Sequence, residues 1–375
     1  MYTCPICLNT DRKYFAFRNN VLYCRKCLSF YGDKVKEKSN NLSSVTLNLN
    51  YSLSPLQEEI SSNVINAYKN HKNVLINAVC GAGKTELVYG VIKYALGKRQ
   101  NVGFAVPRRD VVIDLLPRFK SAFPLQKVIS VYGGHHDQLN GDIIILTTHQ
   151  LFRYEDYFDL LILDEIDAFP YQGNEVLNNF FKKSVRGNYI LMSATARENL
   201  ISEIKNNGDE VFYLDKRYHN HPLPVPTIKS ILFGKIFYLL YKIFSFQKKK
   251  LPLLVFVPTI EECENLYSKC RFIKNGNFVH SKRKQRNEII EDFKKEKYDY
   301  LITTSVLERG VTIKNLQVII YDAHHALYDD KSLIQIAGRV GRKIDAYSGE
   351  VIFIADYITE EIKRAVSEIE RANRS

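Results

Sequence analysis

Short apolar runs recur along the chain, and longer segments between them mix apolar and polar positions at helical spacing. NVLINAV (73–79), NVGFAV (101–106), KVISVY (127–132), DIIILTT (142–148), FDLLILD (158–164) and NYILMSA (188–194) are rich in Val, Ile and Leu. Each is apolar almost throughout instead of alternating, which is the pattern of a strand buried on both faces. TELVYGVIKYALGK (85–98) and RDVVIDLLPRFKSAF (109–123) lie between them and are long enough for helices. Strands and helices in alternation predict an α/β fold with a parallel sheet covered on both sides.

Pro222, Pro224 and Pro226 interrupt the pattern within KRYHNHPLPVPTIKS (216–230). Proline fixes φ and removes a backbone donor, so this stretch reads as an extended connector. The alternation then resumes with LPLLVFVP (251–258), RFIKNGNFVH (271–280), DYLITTS (299–305), QVIIYD (317–322) and EVIFIAD (350–356). A chain of 375 residues also exceeds the ~250–300 that a single core serves. We therefore expect a small module at 1–38, a polar linker at 39–50, and two α/β domains at 51–220 and 225–375.

The longest apolar stretch, ILFGKIFYLLYKIFSF (231–246), contains Lys235 and Lys242. It is shorter than the ~20 residues that span a bilayer, so no transmembrane segment is expected. A half-buried helix opening the second domain is the plainer reading. A membrane-surface helix backed by Lys248, Lys249 and Lys250 is the alternative. MYTCPICLNTDRKY lacks the apolar core of a signal peptide, and a cytosolic protein is expected.

Composition changes the picture in two ways. Lys and Arg outnumber Asp and Glu by 53 to 41, a net charge of +12, which suits a polyanionic partner, nucleic acid before membrane. Cys4, Cys7, Cys24 and Cys27 form a pair of C-x2-C knuckles, whereas Cys80, Cys263 and Cys270 are scattered. Paired knuckles at this spacing read as a tetrahedral Zn²⁺ site, and the metal would account for folding of a module too small for a core. Arg12, Lys13, Arg18, Arg25, Lys26, Lys34, Lys36 and Lys38 surround Tyr14, Phe15, Phe17 and Tyr23, against Asp11, Asp33 and Glu37. Such a mixture suits single-stranded DNA through phosphate contact and stacking. Aromatics packing the module beneath solvated charges, or a protein-docking surface, are the other readings.

AVCGAGKT (78–85) joins a strand to a helix and fits the phosphate-loop pattern G-x-x-x-x-G-K-[ST], with Ala78 in place of the first glycine. Gly81, Ala82 and Gly83 let backbone N–H groups converge on phosphate oxygens, Lys84 reaches the β- and γ-phosphates, and Thr85 binds Mg²⁺. Cys80, inside the loop, is a mild oxidation liability and no ligand. Asp164 and Glu165 end the strand at 158–164, and Asp167 follows. Acids ending a buried strand need cations opposite them, and Mg²⁺ with Lys84 supplies them. Asp164 then holds Mg²⁺, while Glu165 orients and deprotonates the attacking water of an ATP hydrolase. Further on, Gln335, Arg339 and Arg342 stand four and three apart on one helical face or its adjoining turn, where guanidinium groups stabilise phosphoryl-transfer charge. His135, His136, His324 and His325 have no ligand partners at metal spacing and read as loop histidines.

A-x-x-G-x-G-K-T, D-E-x-D, S-A-T (193–195), TTSVLERG (303–310) and Q-x-x-G-R-x-G-R resemble, in this order, the motifs of superfamily 2 helicases and translocases. The resemblance implies two RecA-like lobes with ATP bound at their interface. It implies an adenine contact for Gln57, and nucleic-acid contacts for Pro107 and Arg108, for Thr147, Thr148, His149 and Gln150, and for Thr303 and Thr304. It implies a coupling role for Ser193, Thr195 and Arg309, and Asp167 would tie the acid box to a neighbouring motif. Thr312 stands where many DEAD-box members carry aspartate, which puts the ribose contact in doubt.

The four-cysteine module, AVPRRDVVIDLLPRF, TTHQLFRY, DEIDAFPY and QIAGRVGR together resemble the ComFA family. That resemblance implies an ATP-driven single-stranded DNA translocase for uptake of transforming DNA, in the cytoplasm at the inner face of the membrane. It also implies a ComEC-type channel and a ComFC-like protein as partners. A duplex-unwinding helicase resembling PriA, and an ATP-gated DNA-binding scaffold, are the alternative readings.

Overall fold

The computed structural model describes residues 2–30, 32–35, 44–79, 81–214, 217, 221–307, 313–342 and 345–374. Cys80, Arg309, Thr312, Lys36, Glu37 and Lys38, all singled out above, lie outside the described residues. The chain divides into two compact units, Met1–Ala78 with Gly83–Leu214, and Val79–Ala82 with Asp215–Ser375.

In the first unit seven parallel strands stand in the spatial order Val128–Val131, Ile143–Thr147, Val102–Val106, Phe158–Leu163, Val185–Ser193, Val74–Ala78 and Glu210–Leu214. Helices Pro55–Lys69, Tyr89–Gly97, Arg109–Ala122 and Glu175–Ser184 connect or flank them. Val102–Val106 and Ile143–Thr147 are buried throughout and Phe158–Leu163 at all but Asp159, as their Val/Ile/Leu runs require. Ser54 caps the first helix by accepting from Gln57 N, while its own N–H donates to Gln57 Oε1 at 2.9 Å. Phe104, Phe119 and Tyr89 pack edge-to-face under the helical layer, with ring centroids 5.0–5.2 Å apart.

The second unit repeats the principle with six parallel strands in the order Thr227–Ser230, Val351–Ala355, Gln317–Tyr321, Leu253–Phe256, Tyr300–Thr303 and Gly276–Val279. The apolar stretch at 231–246 becomes the helix Lys235–Lys248, which buries Leu239, Ile243 and Phe246 against the sheet. Each unit is thus a RecA-like parallel-sheet lobe. The edge strands Glu210–Leu214 and Thr227–Ser230 were not expected, and the second takes the end of the proline-rich connector into the sheet.

The cysteine module folds as a two-stranded hairpin, Phe15–Arg18 with Val21–Cys24, and docks on the first lobe. Asn179 Nδ2 donates to Cys7 O at 2.8 Å, Lys183 Nζ donates to Pro5 O, and Val35 N donates to Arg153 O at 2.8 Å. Arg153 is buried; its Nη1 donates to Asp33 O and its Nε to Gln150 Oε1. Phe30 wedges between Phe180, Phe152 and His149. The same joint carries an ion triad in which Lys34 and Lys183 flank Glu155 at 2.8 and 2.7 Å.

These lysines bring the Glu155 carboxyl down to about 2 from an ordinary 4.5. A depressed carboxylate contributes stability above its unfolded value and loses it as pH falls through the folded one. Because the triad is half exposed, Glu155→Gln should cost only about 0.5–1 kcal/mol at neutral pH. The difference between parent and variant in urea midpoint should shrink from pH 4.5 downward and vanish near pH 2.

Candidate active site

Every chemistry-bearing segment of the first lobe leaves the carboxyl end of a strand. The phosphate loop follows Val74–Ala78, the acid box follows Phe158–Leu163, and S-A-T closes Val185–Ser193. Pro107 and Arg108 follow Val102–Val106, and the 3-10 turn Thr148–Arg153 follows Ile143–Thr147. In a parallel sheet all these ends lie on one edge, where ligands of α/β folds bind. The S-A-T strand runs between the phosphate-loop strand and the acid strand, so the chemistry converges across neighbours.

Gly83 sits at φ +80°, and a Cβ there would lie 2.5 Å from Gln57 Nε2. Only glycine lets Gln57 close over the loop, and the capping bond to Ser54 N–H holds Gln57 there. Lys84 Nζ donates to Ala78 O at 3.2 Å, and Thr85 is buried beside it. Asp164 and Ile166 are stitched to the adjacent strands through Asp164 N to Ala105 O and Ile166 N to Met192 O. Glu165 N–H donates to Asp164 Oδ1 at 2.8 Å from a left-handed backbone of φ +57°. A non-glycine residue there costs about 1–2 kcal/mol, a strain of the kind that clusters at functional sites.

Burial pushes the Asp164 carboxyl up to about 6; Lys84 pulls it down, and Glu165 and Asp167 push it up again. Asp164 is thus buried with Lys84 as a cationic neighbour and two further carboxylates close by. A buried carboxylate raised in this way suits a divalent cation, and Mg²⁺ held by Asp164 and the Thr85 hydroxyl would fit it. Asp167 faces elsewhere: its carboxylate accepts from Ser193 Oγ at 3.2 Å and Thr195 Oγ1 at 2.9 Å. Acid box and S-A-T are one hydrogen-bonded unit.

The residues matched to nucleic-acid contacts divide. Thr148 and Gln150 have buried side chains, Gln150 serves Arg153, and His149 stacks on Phe30 with its pKa lowered by burial. Thr303 and Thr304 are buried at the end of their strand. In the second lobe Gln335 lies on the helix Asp330–Ala337 and is buried, as is Arg339 just beyond it, while Arg342 Nε donates to Gly338 O. Sequence reasoning missed Arg217. Its buried guanidinium donates to the carbonyls of Gly338, Val340 and Gly341, bracing the turn that carries both arginines. A lone arginine in the connector offered no signal.

Cys4 and Cys27 sulfurs lie 3.6 Å apart and Cys7 and Cys24 sulfurs 3.7 Å, and all four fall within 4.8 Å of one another. Tetrahedral Zn²⁺ with bonds of ~2.3 Å needs sulfurs ~3.8 Å apart, so the cluster fits that ion. Burial pushes the Cys7 thiol up to about 11, and a bound cation would favour its thiolate instead. A second grouping, Asp322, His324 and Asp356, brings a presumed loop histidine beside two acids. Lys235 pairs with both carboxylates, and the set reads as a salt-bridged joint.

Two predictions follow from this geometry. Glu165→Gln should lower ATP turnover by ~100-fold or more while nucleotide still binds, measured as steady-state phosphate release and nucleotide titration. A Cys24→Ser, Cys27→Ser variant should lose metal on elemental analysis, whereas Cys263→Ser should keep it.

Comparison with known proteins agrees with this frame. Residues 50–198 match the family described as type III restriction enzyme, res subunit, and residues 235–343 match the helicase conserved C-terminal domain. Among solved structures, S. cerevisiae Dbp5 bound to RNA and ADP BeF3 superposes with a TM-score of 0.67 at 18% identity, over 86% of this chain and 88% of that one. Mss116p bound to single-stranded RNA and AMP-PNP gives 0.65 at 19%, over 86% and 77%. Competence protein ComFA of Bacillus subtilis is 34% identical over 99% of this chain and 86% of its own length. Competence protein ComFA of Streptococcus pneumoniae is 31% identical over 99% and 90%. The helicase domains imply use of ATP and Mg²⁺, and the enzyme is a nucleic-acid-dependent ATPase of the helicase type. The chain belongs to the ComFA family.

Proposed function

We propose that the protein is a single-stranded DNA translocase whose ATPase drives uptake of transforming DNA in competent cells. The observation that carries this is the assembly of phosphate loop, acid pair and Asp167–Ser193–Thr195 unit on one sheet edge, in a chain matching competence proteins along nearly its whole length. In the cycle, Lys84 neutralises the γ-phosphate, and Thr85 and Asp164 would hold Mg²⁺, which supplies charge neutralisation when bound. A water oxygen attacks phosphorus, its proton passes to the Glu165 carboxylate, and the bond electrons leave with ADP. Arg339 and Arg342 stabilise the developing charge. Asp167 carries the change at the acid box to Ser193 and Thr195, whose strand lies beside the phosphate-loop strand. Cys4, Cys7, Cys24 and Cys27 would hold Zn²⁺, which would tie the two knuckles of the docked module together. We place the protein in the cytoplasm at the inner face of the membrane, working with a ComEC-type channel and a ComFC-like partner.

The test compares ATP turnover alone, with single-stranded DNA, with duplex and with RNA. Single strand should stimulate severalfold and duplex little. No stimulation by any polymer would remove the motor reading, and equal stimulation by RNA would remove the DNA assignment.

A further inference from the structure

The helix Lys235–Lys248 buries one face and leaves the other to solvent. Phe237, Tyr241 and Phe244 lie on that outer face at helical spacing, and Phe237 is 74% exposed. Leu232 and Phe233 precede them in the turn before the helix, and Phe233 is 86% exposed. Phe272 extends the stripe sideways, its ring 6.4 Å from that of Phe244. Scattered exposed apolar side chains are ordinary, but a continuous aromatic stripe along one helix marks a contact surface. Among the described residues, the core of the second lobe is built on Leu239, Ile243 and Phe246 from this helix and not on these rings.

Charge identifies the occupant. Between Lys229 and Lys250 there is no Asp or Glu. Lys235 and Lys242 are spent on Asp322, Asp356 and Glu350. Lys248, Lys249 and Lys250 are exposed at the helix end, with Arg271 and Lys274 exposed beside Phe272. Protein interfaces enrich arginine and deplete lysine, whereas aromatics rimmed by lysine are the composition of helices lying in an anionic bilayer interface. No helix among the described residues is long and apolar enough to cross a membrane, so such a contact would be lateral.

We propose that the outer face of Lys235–Lys248, with Phe233 and Phe272, is a docking surface for an anionic lipid bilayer. The rings enter the headgroup region and the lysines at the helix end meet lipid phosphates. This deepens the membrane placement proposed above, which names no surface, and it is independent of the ATPase chemistry.

The test is flotation of the purified full chain with phosphatidylcholine vesicles with and without phosphatidylglycerol, beside sedimentation without lipid. The parent should float with the anionic vesicles. A Phe237→Ser, Tyr241→Ser, Phe244→Ser variant should lose about tenfold or more in vesicle affinity, with unchanged basal ATPase as its control for folding. Lys248→Gln, Lys249→Gln, Lys250→Gln should weaken binding and flatten its salt dependence. If the aromatic variant floats like the parent, this surface is wrong although the membrane placement stands. If the parent floats with neither vesicle, or sediments as a dimer that the variant abolishes, the lipid assignment falls and a protein occupant replaces it.

Discussion

Asp167 hydrogen-bonds to Ser193 and Thr195, and the arrangement of the first lobe's candidate site depends on that joint. Asp164 and Glu165 belong to the acid loop, whose backbone is bonded to Ala105 and Met192 on the neighbouring strands. The carboxylate of Asp167 adds a side-chain link from that loop to the strand lying beside the phosphate-loop strand. Each bond to a charged acceptor is worth roughly 1.5–3 kcal/mol, enough to make loop and strand shift together. Acid loop and S-A-T strand are therefore held by side-chain as well as backbone bonds.

The same joint explains why three acids can occupy one corner of a basic protein. Asp167 accepts hydrogen bonds from the hydroxyls of Ser193 and Thr195. Asp164, held up at about 6 by burial, suits a cation. The two acids differ in their surroundings: hydroxyl donors meet Asp167, whereas burial and the Lys84 ammonium act on Asp164.

Much of this was legible in the residues. Unbroken apolar runs foretold the buried parallel strands, because such runs have no solvated face to alternate with. The phosphate loop, the acid box and the cysteine knuckles were legible because each chemistry imposes a spacing on neighbouring residues. The edge strands Glu210–Leu214 and Thr227–Ser230 were not, since half-exposed short strands carry polar residues and no run. Nor was Arg217, whose role arises only when the connector folds back onto Gly338, Val340 and Gly341. The engagement of Gln150 was hidden as well, because its partner Arg153 is held by Asp33 of an arm more than a hundred residues away in sequence.

That arm changes how its own charges are read. Lys34 engages Glu155 and Lys26 engages Glu175, while Tyr14 and Phe15 pack against the lobe. Gly32 has φ +138°, and a Cβ there would collide with the Arg153 guanidinium, so the chain passes directly over the turn Thr148–Arg153. The module is therefore a fixed part of the first lobe. Its aromatic and basic content is divided between packing and solvent: Phe17 stays exposed beside Arg18 at the hairpin tip, whereas the docked side is consumed. The exposed aromatic and basic side chains of the module are therefore those of that tip, held at a constant place relative to Thr148, His149 and Gln150 by the bonds between Arg153, Gln150 and Asp33.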